Sequence, residues 1–191
     1  MSLPISEVAV FLDRDGTINI DTGYIGVAEG FTLITGAAVA IRLLNQTGVK
    51  VFIVTNQSGI GRGYFTETDL GLVNARMKEL LSLEGARIDG IYYCTHRPDD
   101  NCDCRKPATA LVKRAEAEHA VKAKSSFVVG DKFVDVALGK NVGAKSVLVL
   151  TGAGEKEREK FDHSTEGIIP DLIAKDLLGA AEWIVREIKN C

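Results

Sequence analysis

Short apolar runs recur along this chain, and each gives way to a stretch with helical or loop character. The runs are residues 8–12 (VAVFL), 50–54 (KVFIV), 88–94 (IDGIYYC), 126–130 (SFVVG) and 146–150 (SVLVL). A strand with one wet face alternates apolar and polar residues. These runs are apolar almost throughout, the pattern of strands buried on both faces. Between them, Val39, Leu43 and Leu44 fall at helical spacing within 36–46. A second helix starts at Thr66, with Asp69 as capping partner and Leu70, Val73, Met77, Leu80 and Leu81 as its stripe. Further helices are expected from Pro107 to about Val121, over 134–141 and over 171–189. The last carries Leu177, Leu178, Ala181, Ile184, Val185 and Ile188 on one face. Residues 18–35 read as an irregular flap, 58–63 (SGIGRG) as a glycine-rich turn and 155–164 as an exposed charged segment. The alternation predicts an α/β fold, a Rossmann-like doubly wound parallel sheet covered on both sides.

Such a sheet needs a sizeable core, and 46% hydrophobic residues in a chain of 191 supply one for a single domain over 1–191. The net charge of −3, without a basic stripe, speaks against nucleic acid as a partner. No apolar run approaches the roughly 20 residues of a membrane span. The N-terminus also lacks the regions of a secretion signal. A cytoplasmic protein without membrane contact, acting as a monomer, is expected. Structural disulfides are rare in that compartment, which bears on the four cysteines.

Ligands of doubly wound sheets bind beyond the carboxyl ends of the strands. The polar residues that end the apolar runs here are Asp13, Thr55 and Asp131. Asp15 follows Asp13 one residue on, and like charges that close need a cation, a proton or a task. Asp13, Asp15 and Asp131 form a set of hard oxygen donors suited to Mg²⁺, which takes few carboxylates, several waters and a substrate phosphate. Phosphoryl oxygens need positive charge and hydrogen-bond donors. The Thr55 hydroxyl, the Asn56 amide and the Lys106 ammonium can supply them. The combination suits attack by a carboxylate on phosphorus.

With these motifs in order, the chain resembles the haloacid dehalogenase-type phosphatases over essentially its whole length. DRDGT at 13–17, TNQSG at 55–59, Lys106 and GDK at 130–132 match the four motifs of that family. The resemblance implies Asp13 as nucleophile and Asp15 as the acid, then base, that serves the leaving group and the hydrolytic water. It implies Thr55 and Lys106 as phosphoryl ligands. It implies Mg²⁺ on Asp13, the backbone carbonyl of Asp15, and Asp131. Lys132 reads either as a site residue or as an ordinary exposed lysine. Neither 18–35 nor 60–90 has room for the cap domain many members insert, so a capless, open site is expected.

Residues 93–107 read YCTHRPDDNCDCRKP. Cys94, His96, Cys102 and Cys104 give the spacing C-x-H-x5-C-x-C, a ligand set preferred by structural Zn²⁺. Four protein ligands leave no open position for water, so this ion would fix the loop of about 94–104 that leads into Arg105 and Lys106. His119, His163 and Cys191 have no metal partner in sequence and are assigned no role.

Two capless, zinc-bearing groups of the family fit, one acting on a heptose bisphosphate and the other on histidinol phosphate. DTGYI at 21–25, TNQSGIGRGYFT at 55–66 and DGIYYC at 89–94 are similar to the first group. The compact zinc loop is similar to the second. A small phosphorylated sugar is therefore the expected substrate, bound by Asp21, Thr22, Gly23 and Tyr24 of the flap, by Asn56, Gln57 and Ser58, and by Arg105. Arg62 and the glycine-rich backbone of 59–63 are further candidates for a second phosphate. For a cationic amine, Glu29 or Asp21 would serve instead. A non-catalytic Rossmann-like module with a structural zinc is the reading outside enzymes. Asp15 and Lys106 argue against it, since a binding module needs neither.

Overall fold

The computed structural model describes residues 4–162 and 167–190; His163 and Cys191 lie outside them. Six parallel strands form one sheet: β1 (Ala9–Leu12), β2 (Lys50–Asn56), β3 (Gly90–Cys94), β4 (Phe127–Gly130), β5 (Lys145–Val149) and β6 (Leu172–Ala174). Their spatial order is β3-β2-β1-β4-β5-β6. Alternate residues of each strand feed opposite layers. Val10, Leu12, Val51, Ile53 and Val129 pack on α1 (Ala37–Gln46), α3 (Glu67–Leu83) and α7 (Leu177–Lys189). Ala9, Phe11, Phe52, Val54 and Val128 pack on α4 (Ala110–His119) and α5 (Phe133–Val142). Both faces are dry, which is why the strands show no polar alternation in sequence.

The register sets the level of the site. Leu12 pairs with Ile53 on one side and with Val129 on the other. Asp13, Thr55 and Asp131 therefore leave the sheet within two residues of the same level. The chain turns to opposite sides of β1 for β2 and β4, so the gap between β1 and β4 is the topological switch point, where such sheets open a crevice.

Several expectations need correction. The turn at 58–63 begins as one helical turn, α2 (Ser58–Gly61). The fourth helix starts at Ala110 and not at Pro107, because Arg105 to Ala108 form a turn closed by Ala108 N–H donating to Arg105 C=O (2.8 Å). The Lys106–Pro107 peptide is cis. The segment expected to be merely charged and exposed folds as α6 (Gly154–Asp162), since Phe161 stacks on Phe133 with ring centroids 5.3 Å apart. The segment expected to be one helix from 171 begins instead with the edge strand β6. The remaining helix buries Leu177, Ala180, Ala181 and Ile184, and Asp176 caps it by accepting from Gly179 N–H (2.9 Å). The Thr66–Asp69 capping box of α3 is present as expected.

Residues 18–35 form the irregular flap, held by the buried side chains of Ile18, Ile25 and Phe31. Only α2, α3 and their connections lie between β2 and β3, so among the described residues no cap domain follows either of the first two motifs. Phe65 fastens the flap to α2. A Cβ on Gly26 would sit 2.5 Å from the Phe65 Cβ, and one on Gly59 would sit 2.2 Å from its Cε1. The ring thus occupies the space where two side chains would be. Gly59→Ala should cost about 1–3 kcal/mol in urea unfolding, as overpacked sites do. Gly30→Ala in the same flap, where a Cβ meets nothing within 4 Å, should be near neutral. Equal effects of the two would contradict the wedge.

Candidate active site

A cleft of about 610 Å³ opens over the switch point. Asp13, Asp15, Thr55, Asn56, Gln57, Ser58, Arg105, Lys106 and Lys132 line it, with Asp21, Gly23 and Tyr24 of the flap and Glu157 and Lys160 of α6. Thr22 and Arg62 do not line it. A groove of about 700 Å³ elsewhere, with Ile5, Leu43, Phe127 and Val185 in its wall, has no carboxylate, thiol or imidazole among the described residues that line it. The chemistry lies at the strand ends.

Asp13 continues β1, its N–H donating to Val129 C=O (2.8 Å). Its carboxylate is buried and takes the Lys106 ammonium on Oδ1 at 2.7 Å. Lys106 also meets Asp135 Oδ1 at 2.6 Å. The loop bearing Lys106 is clasped by Asn56, whose Oδ1 accepts from Lys106 N–H (3.0 Å) and whose Nδ2 donates to Lys106 C=O (3.3 Å). The Asn56 amide thus holds the lysine loop. Thr55 is buried, and its Oγ1 accepts from Gln57 Nε2 at 2.9 Å. Gln57 Nε2 also donates to Asp15 Oδ2 at 2.7 Å. Arg105 lines the cleft and reaches His96 C=O at 3.4 Å.

Asp131 is wholly buried; Ala153 N–H donates to its Oδ2 (2.8 Å), while its Oδ1 has no hydrogen-bond partner among the described residues. Oxygens of Asp13, Asp131 and Asp135 lie within 4.8 Å of one another. The backbone must come close here: a Cβ on Gly16 would be 2.2 Å from Asp131 Oδ2, and Gly16 has φ +88°. Three buried carboxylates face two ammonium groups, Lys106 and Lys132, and this excess of negative charge suits a divalent cation. The proton affinities say the same. Burial works to raise the Asp13 carboxyl, but Lys106 and Lys132 outweigh it and hold it below the usual range. Burial, reinforced by the charge on Asp13, pushes Asp131 up to about 7. Burial also carries Asp135 up to about 6, against the pull of Lys106. An orphaned oxygen in a carboxylate trio fits Mg²⁺.

Asp135 is a residue of the acid trio that sequence reasoning missed. It sits in the first turn of α5, where it also accepts from Lys132 N–H (3.0 Å). The signal was present as an acid four residues after Asp131, one helical turn into the following helix. The Asp15 carboxylate lies outside the trio. It is held by Arg14 (2.9 Å), Asn19 (3.0 Å) and Gln57. Lys132 is no ordinary surface lysine. Its ammonium is 3.2 Å from Asp21 Oδ2 and 3.9 Å from Asp131 Oδ2, so it ties the flap to the acid trio. Burial opposes its charge, but Asp131, Asp13 and Asp21 hold it above the ordinary lysine range.

Cys94, His96, Cys102 and Cys104 offer ligand atoms that all lie within 4.8 Å of one another. The sulfurs are 3.1–3.6 Å apart and His96 Nδ1 is 3.2 Å from Cys104 Sγ. No two of these sulfurs are bonded. Donors around a tetrahedral ion with bonds of roughly 2.3 Å stand only slightly farther apart than this, so the set can hold a metal.

A sequence profile described as HAD-hydrolase-like matches residues 103–180. The chain is 43% identical over 144 residues to a D-glycero-β-D-manno-heptose-1,7-bisphosphate 7-phosphatase of Helicobacter pylori, covering 75% of this chain and 83% of that protein. It is 38% identical over 188 residues to the D-glycero-D-manno-heptose-1,7-bisphosphate 7-phosphatase of Thermosynechococcus vestitus, covering 92% and 94%. The crystal structure of a D,D-heptose 1,7-bisphosphate phosphatase from B. bronchiseptica, in complex with magnesium and phosphate, superposes with a TM-score of 0.85 at 31% identity over 94% of this chain and 99% of that one. The chain belongs to the haloacid dehalogenase-like hydrolases, within the family of the heptose-1,7-bisphosphate 7-phosphatases.

Proposed function

We propose that this protein is a Mg²⁺-dependent phosphatase that removes the 7-phosphate of D-glycero-D-manno-heptose 1,7-bisphosphate, a cytoplasmic step toward ADP-heptose and the lipopolysaccharide core. The observation that carries the proposal is the Asp13 carboxylate, kept ionised at the switch point and anchored 2.7 Å from Lys106 beside two further acids. Asp13 attacks the 7-phosphorus. The bond from phosphorus to the sugar oxygen breaks, and Asp15 gives that oxygen its proton. Water then attacks the aspartyl-phosphate at phosphorus, Asp15 takes the water's proton, and inorganic phosphate leaves. Lys106 and Thr55 hold phosphoryl oxygens throughout. Mg²⁺, held by Asp13, Asp131 and Asp135 with the Asp15 carbonyl, supplies positive charge to those oxygens.

The cleft favours a bisphosphate over an amine. Asp21, an acid that could meet a cationic substrate, is already paired with Lys132, and Glu157 of α6 with Lys160. Glu29 is exposed on the flap and does not line the cleft. Arg105 lines it and can meet a second phosphate. The test is kcat/KM for heptose 1,7-bisphosphate and for histidinol phosphate, with and without Mg²⁺. Preference for the sugar and dependence on Mg²⁺ are expected; preference for the amine would reverse the substrate assignment.

The cysteine–histidine cluster takes Zn²⁺ as a structural ion. Elemental analysis should find one zinc per chain, lost in Cys102→Ala together with order in the Arg105–Lys106 loop and much of the activity. Zinc-free wild type with full activity would contradict this role.

A further inference from the structure

Arg14 is the largest wholly buried side chain among the described residues, and the reaction just outlined does not use it. A buried guanidinium is costly unless its donors are paired, and an apolar residue would fill the same space at no such cost. Its partners are specific. Nε and Nη2 both donate to Asp15 Oδ1 (3.2 and 2.9 Å), and Nη2 also meets Asp15 Oδ2 (2.9 Å) and Gln57 Oε1 (3.2 Å). Nη1 donates to Asn74 Oδ1 at 3.3 Å. Asn74 is the one polar residue on the buried face of α3, among Leu70, Val73, Met77 and Leu81. Arg14 and Asn74 stay out of the cleft, whereas Asp15 and Gln57 line it.

We infer that Arg14, braced from α3 by Asn74, is a positioning residue that sets the Asp15 carboxylate for proton transfer to the leaving oxygen. The inference rests on the phosphatase reading above. Asp15 Oδ1 is filled by Arg14 and Asn19. Oδ2 accepts from Arg14 Nη2 and from Gln57 Nε2, and Gln57 lines the cleft together with Asp15. The fork contacts both oxygens and so fixes the plane of the carboxylate, in the bidentate geometry that arginine provides.

Leaving-group dependence separates positioning from mere support. An alkyl phosphate such as the heptose bisphosphate needs a proton on its departing oxygen, whereas p-nitrophenyl phosphate does not. In Arg14→Lys, single-turnover cleavage of the alkyl phosphate should fall about 100-fold, the scale of general-acid catalysis, with KM little changed. The p-nitrophenol burst should stay within about threefold of wild type, since transfer to Asp13 no longer calls on an acid. Asn74→Leu keeps the guanidinium and removes its brace; it should show the same split at about tenfold, and it decides the matter if Arg14→Lys does not fold. Equal loss on both substrates, or no loss on either, would overturn the inference. A wild-type protein that cleaves neither substrate would overturn the phosphatase reading and this inference with it.

Discussion

Asp13→Asn should leave a folded protein with turnover reduced about 10⁴-fold or more, the scale seen when a nucleophile is removed. The amide has the same shape, so the Val129 contact of its backbone survives. Lys106 keeps Asp135 as a partner, which limits the loss of stability. What disappears is the proposed nucleophile and one oxygen donor of the acid trio. Steady-state kinetics on the heptose bisphosphate, with circular dichroism as the check on folding, measures this. A variant with more than a tenth of wild-type activity would show that phosphorus is attacked by something other than this carboxylate.

Asp15→Asn should behave differently. The Asp15 carboxylate is apart from the trio, pinned by Arg14, Asn19 and Gln57. Mg²⁺ and phosphate should therefore bind much as in wild type, while kcat on the sugar phosphate falls about 10²–10⁴-fold, as when a general acid and base is lost. Titration calorimetry for the metal and inhibition by inorganic phosphate separate the two effects. Some stability should go as well, because an amide nitrogen in place of Oδ2 would face the N–H donors of Arg14 and Gln57. Loss of metal binding in this variant would mean that the two acids share one task.

These two acids show what a sequence can and cannot disclose. Asp13, Thr55 and Asp131 are legible because each ends an apolar run, and the parallel register brings all three to one level. Lys106 and the cysteine–histidine cluster are legible from residue type and spacing. Asp135 is hidden because it lies inside a helix, where an acid in the first turn reads as a cap, a part it also plays. Arg14 is hidden because its complete burial comes with partners distant in sequence, Gln57 and Asn74, the latter sixty residues away. The edge strand β6 escapes for another reason. Its three residues are too few to show a period, and they run into the apolar face of α7. The late start of α4 follows the turn at Arg105–Ala108, and that turn's Lys106 backbone is clasped by Asn56 from fifty residues away.

The proposed reaction passes through a covalent bond between Asp13 and phosphorus, and that bond can be trapped. Wild-type protein mixed with substrate labelled in its 7-phosphate, quenched in acid within milliseconds and digested, should carry the label on the peptide containing Asp13. Borohydride reduction of the acyl phosphate should then convert that residue to homoserine. Label on another residue, or fast release of phosphate with no labelled peptide at any quench time, would contradict the mechanism.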